Sequence, residues 1–123
     1  MARKCVLVVG LDPTLLKFSP ERGLNAEGVM AAGKCADERL NELGYEVQTC
    51  LLSPAAETES AVLTALERTT FDCIMVAAGL RGLMEYNLLF EKVMNAIHQK
   101  APSAKLCFNT HPGNTAEAIL RWT

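Results

Sequence analysis

The 123-residue chain has no excess of charge of either sign: 12 Lys and Arg stand among 14 Asp and Glu, for a formal net charge of -2. The cations form no cluster, so the chain lacks the basic face by which nucleic acid is held, and no nucleic-acid partner is expected. No stretch reaches the roughly 18 apolar residues of a membrane span. Met1 to Gly10 is too short and too strand-like for a signal peptide, so a cytoplasmic location without a membrane partner is expected. No C-x-x-C pair occurs. Cys5, Cys35, Cys50, Cys73 and Cys107 are odd in number and lie far apart, which argues for reduced thiols. Four of them fall inside the strands proposed below, where cysteine serves as a small buried hydrophobe. Cys50, near the end of its strand, comes closest to the partly exposed setting of a reactive thiol. Two histidines and no Cys or carboxylate cluster at ligand spacing leave no metal site to expect. Neither glycine-rich phosphate cradle, G-x-G-x-x-G or G-x-x-x-x-G-K-[ST], is present. Internal repeats, linkers and low-complexity segments are missing too.

What is present is a sequence for one core. A chain of this length buries about two thirds of its unfolded surface without disulfides or metals. Within Phe71 to Gly82, FDCIMVAAGLRG, the run between Asp72 and Gly79 is continuously apolar, and Lys4 to Gly10 holds another such run after Lys4. Strands apolar at every position are buried on both faces and belong at the centre of a parallel sheet. Tyr45 to Leu52 alternates through Glu46 and Gln48, which marks an edge strand, and Ala104 to Phe108 carries Lys105 as the opposite edge.

Between the strands lie helical patterns. Asn25 caps a helix with Val29, Gly33, Ala36, Leu40 and Leu43 on a narrow inner stripe, ended by Gly44 in a left-handed conformation. A second helix starts at Pro54 or at Thr58 and turns Val62, Ala65, Leu66 and Thr69 inward. The third runs from about Met84 to Gln99, with His98 a solvated residue on its last turn. Asn114 and Glu117, at capping-box spacing, open a short helix through Trp122, which is expected to seal the edge of its face. The segment from Pro13 to Asn25 is long for a strand-to-helix connection. It reads either as a surface loop or as a lid.

The order β-α-β-α-β-α-β-α, with right-handed crossovers and the two apolar strands central, gives a single α/β domain over residues 1–123. It is a three-layer α/β/α sandwich around a four-stranded parallel sheet of order 2-1-3-4, with the first and last helices on one face and the middle two on the other.

Strand order reverses between strands 1 and 3, and ligands of open parallel sheets bind beyond the carboxyl ends at such a point. Asp12, Arg81, Asn109, Thr110 and His111 are expected around that crevice, with Gly79 and Gly82 bracketing Arg81. Arginine supplies a planar fork for carboxylate or phosphate. Gly79, Gly82, Asn109 and Thr110 complete a ligand-binding set, and His111 with Asp12 is the pair that would move a proton. An equally weighted reading makes these residues structural: Asp12 pairs with Arg81, while Asn109 and Thr110 satisfy turn amides.

This architecture resembles the flavodoxin-like, Rossmann-like superfamily, response-receiver domains included, over nearly the whole chain. Receiver domains carry an acidic pair after strand 1, a phosphorylated aspartate after strand 3, a Ser or Thr after strand 4 and a lysine after strand 5. Asp12 matches the first and Thr110 the third. Ala78-Gly79 occupies the phosphoacceptor place, and no fifth strand exists to carry the lysine. Flavodoxins carry a Ser/Thr-rich phosphate loop after strand 1, where this chain has only Thr14. The likeness is therefore to a fold alone, which leaves the cofactor unknown.

Two functions are expected from these residues, with catalysis left open. One is a small anionic ligand at the carboxyl edge. The other is a non-catalytic interaction or regulatory module, a degenerate receiver-like domain that forms a homodimer through the strand 4 edge at Leu106 and Phe108.

Overall fold

The two all-apolar runs lie side by side at the centre of the sheet. A computed structural model describes residues 4–12, 25–53, 59–82 and 84–123. Strand β1 (Lys4–Leu11) pairs in parallel with β2 (Tyr45–Leu52) on one side and β3 (Cys73–Val76) on the other. Strand β4 (Lys105–Phe108) pairs with β3, giving one four-stranded parallel sheet of order β2-β1-β3-β4. This is the expected α/β arrangement, with a flavodoxin-like topology. At the amino edge Asp72 ties the central strands together. Its backbone N–H donates to the Cys5 carbonyl and its carboxylate accepts from the Cys5 N–H, both at 2.8 Å.

Helices α2 (Glu59–Arg68) and α4 (Asn87–Lys100) cover one face, where Val62, Leu66, Val93, Ala96 and Ile97 pack on Leu7, Val9, Ile74 and Val76. Helices α1 (Ala26–Glu42) and α5 (Thr115–Leu120) cover the other, with Leu40, Ala116, Ala118 and Ile119 on Val6, Cys73, Met75 and Cys107. The strand alternation explains the division, since successive side chains go to opposite faces. No helix among the described residues is long and apolar enough to cross a membrane.

Local chemistry sets the helix ends. The Asn25 side chain accepts from the Gly28 N–H at 2.7 Å, and Gly44 takes φ +93°, the left-handed value expected of the residue that ends α1. Three details differ from the sequence pattern. The third helix begins later: a short α3 (Ala78–Arg81) and a 3-10 turn (Met84–Tyr86) precede α4. Leu43 is exposed, because α1 has already ended when the chain reaches it. Trp122 stays 55% exposed, since α5 stops at Leu120 and Thr123 reaches back to Tyr45 instead (Oγ1 to Oη, 2.5 Å). The proposed lid from Pro13 to Leu24, and the residues Pro54 to Thr58 where α2 was expected to start, lie outside the described residues.

Candidate functional site

Strands β3 and β4 end level, with Val76 beside Phe108, and Val76 stands beside Val9 of β1, which runs two residues further to Leu11. One residue further on, Gly10, Ala77 and Asn109 form the rim. A Cβ at Gly10 would stand 3.2 Å from the Ala77 side chain, so a larger residue there would crowd the turn after β3. Beyond the rim β1 ends at Leu11 and is followed by Asp12, whose N–H bonds to the Leu52 carbonyl at 2.9 Å, and β3 turns directly into α3.

Asn109 organises this end of the sheet. It is 4% exposed, its side-chain oxygen accepts from the Ala78 N–H at 2.7 Å, and its amide nitrogen donates to Thr115 Oγ1 at 3.0 Å. One side chain thus joins the turn after β3 to the start of α5. Its backbone carbonyl accepts a hydrogen bond from the Arg81 guanidinium. Arg81 also lies over the Phe108 ring, 5.1 Å from its centroid, a cation–π contact worth about 0.5–1 kcal/mol where exposed. An Arg81–Asp12 ion pair is not found among the described residues; the guanidinium goes to β4. Gly79 is exposed in α3 with open space where a Cβ would stand, and the Gly82 N–H bonds to the Ala78 carbonyl at 2.8 Å.

The loop after β4 holds itself. Asn114 Oδ1 accepts from the Thr110 N–H at 3.0 Å and the His111 N–H at 3.4 Å, while its nitrogen donates to Thr110 Oγ1 at 2.6 Å. His111 Nδ1 accepts from the Gly113 N–H at 3.0 Å. That bond places the proton of a neutral ring on Nε2, so His111 offers a donor, not a base, to anything outside. The pattern Asn114–Glu117 was expected as the capping box. Instead the box is formed by His111 and Asn114 around the 3-10 turn Pro112–Asn114. Glu117 is engaged elsewhere, in an ion pair with Arg39 of α1, and that hydrogen bond holds its carboxyl below the usual carboxylate range. No sequence signal distinguishes which of two nearby polar groups takes a cap.

A participant that the sequence did not single out is Arg121, whose guanidinium donates to the Phe108 carbonyl at 3.1 Å. Its only signal was a cation near the end of the last helical pattern. Two arginines therefore sit on consecutive carbonyls at the end of β4. Two clefts, of 210 and 150 Å³, lie elsewhere: between α1 and the 3-10 turn before α5, and at the amino edge beside Phe71 and Ala104. Both are smaller than the roughly 300 Å³ that a drug-sized ligand occupies. Among the described residues no cluster of His, Cys, Asp and Glu could hold a metal ion. Comparison with protein-family models, with curated proteins and with solved structures finds no match to this chain.

Proposed function

We propose that the chain is a cytoplasmic binding protein for a small anion, a phosphate or carboxylate group, taken up at the carboxyl edge beside Arg81. The observation that carries this reading is the way Arg81 is held. Its guanidinium rests on the Phe108 ring and the Asn109 carbonyl, yet the residue remains exposed. A fork fixed on one side loses little rotamer freedom when its other donors meet an oxyanion. In this reading Arg121 adds charge at the same strand end, His111 donates through Nε2, and Asp12 orients a polar group of the ligand. Binding is favoured over catalysis because Asn109, Thr110 and His111 already spend groups on holding their own loop.

The test is a thermal-shift panel of inorganic phosphate, nucleotides and small carboxylates on wild type, Arg81→Ala and Arg81→Lys. At a hundred times its dissociation constant a ligand adds about 2.7 kcal/mol, which for a domain of this size raises the midpoint by on the order of 10 °C. A shift lost in Arg81→Ala and reduced in Arg81→Lys supports the site. A flat panel, or a shift equal in all three proteins, overturns it.

A further inference from the structure

The two edges of the sheet are not equally protected. Strand β4 is four residues long, has exposed Lys105 on it, and its outward Phe108 carbonyl is taken by Arg121. Strand β2 is eight residues long, contains no Lys, Arg or Pro, and has one charge, Glu46. Charges, prolines and short length are the usual devices that keep an edge from pairing. β2 is twice as long as β4, has no proline and carries only that one charge, and its Leu51 is 52% exposed.

The hydrogen bond from the Asp12 N–H to the Leu52 carbonyl fixes the direction of every group on β2. In a parallel pair alternate residues face the neighbour, so Glu46, Gln48, Cys50 and Leu52 bond toward β1. Tyr45, Val47, Thr49 and Leu51 turn their N–H and C=O outward, where no strand pairs with them among the described residues.

We propose that this edge joins β2 of a second copy of the chain, antiparallel about a two-fold axis through Gln48, to make a continuous eight-stranded sheet. The strand is self-complementary in that register. Tyr45 then faces Leu51 of the second copy, Val47 faces its Thr49, and Gln48 faces its own counterpart. All four outward residues bond, whereas a slip of two residues leaves one at each end unpaired. Glu46 meets Cys50, so no like charges are opposed, and the exposed Leu51 is brought into the seam.

Helix α1 fits the same axis. Ala32, Cys35, Ala36 and Arg39 line the cleft against Gly113 and Ala116. At roughly 100° per residue, Met30, Lys34 and Asp37 lie on the opposite flank, toward the β2 edge. Met30 is 52% exposed. Burial pushes the Asp37 carboxyl up, and no partner among the described residues offsets it. In the pair α1 runs antiparallel to its copy, and Lys34 meets Asp37 of the second copy.

The experiment measures mass by light scattering or sedimentation across a dilution series. Wild type is expected near twice 13.4 kDa. Thr49→Pro removes an outward N–H and no bond to β1, which an edge strand tolerates, so it should be a folded monomer by circular dichroism. Leu106→Pro, on the outward side of β4, should leave the dimer intact. Should Thr49→Pro fail to fold, Gln48→Cys decides. Paired across the axis its Cα atoms stand about 4.5 Å apart, within disulfide reach, so oxidation should yield a covalent dimer that wild type does not form. A monomeric wild type, a dimer that survives Thr49→Pro, dissociation by Leu106→Pro, or no crosslink in Gln48→Cys overturns the proposal.

Discussion

On one face of the sheet α2 and α4 insert branched side chains deep into the core, while on the other the 17-residue α1 buries Leu40 alone among its residues. The six-residue α5 buries four, Thr115, Ala116, Ala118 and Ile119, three of them small, and lies close on β3 and β4. The difference shows where stability and exposure have been divided. The α2/α4 face holds the fold together. Helix α1 is held by Leu40, by its contacts with β2 and α5 and by the exposed Arg39–Glu117 pair, which leaves Met30 and Lys34 exposed.

The largest effect should come from Ile74→Ala, which empties a fully buried site on the α2/α4 face. A loss of about 2–5 kcal/mol is expected, read as a fall in the denaturation midpoint with no change in its cooperativity. Leu40→Ala sharpens the comparison. The loosely seated α1 can settle into the space left, so a cost near the lower end, about 2 kcal/mol, is expected. Hydrogen exchange should quicken in α1 while β1 and β3 keep their protection. If Leu40→Ala instead lowers protection throughout, the two faces are equally important and the contrast fails. Asn109→Ala takes the acceptor from the Ala78 N–H and one hydrogen bond from the Thr115 hydroxyl, for a loss of about 1–3 kcal/mol in urea unfolding.

The smallest effect should be that of Glu117→Gln. Arg39 lowers the folded-state carboxyl below its ordinary value of 4.5. The pair therefore adds stability above that pH, and the addition is lost as pH falls through the lower folded-state value. Wild type and Glu117→Gln should differ slightly at neutral pH and low salt, and converge in strong acid or high salt. A difference that grows on acidification would reverse the sign and remove the pair from the forces holding α1.

The sheet could be read from the sequence because its signals were physical and local. Two runs without a polar residue, Val6–Val9 and Cys73–Val76, had to be central, and Glu46, Gln48 and Lys105 had to mark the edges. Asn25 and Gly44 likewise have few alternatives. What stayed hidden depended on competition between groups far apart in sequence. Arg81 could go to Asp12 or to Asn109, and the Phe108 ring decides for β4 by offering a second attachment. Glu117 could cap its own helix or pair with Arg39, 78 residues away. The depth to which α1 sinks was also illegible. Of its narrow stripe of Val29, Gly33, Ala36, Leu40 and Leu43 only Leu40 is buried and Leu43 is exposed, because a pattern does not state how close the helix lies or where it ends.

The most direct test of the anion site is a titration of isotope-labelled protein with inorganic phosphate, and with the carboxylate or nucleotide that gives the largest thermal shift, followed by amide chemical shifts. Saturable shifts at Gly10, Ala77, Ala78, Gly79 and Asn109, absent in Arg81→Ala, are the expected result. Shifts confined to the cleft between α1 and α5, or none at any concentration, would contradict binding at the carboxyl edge.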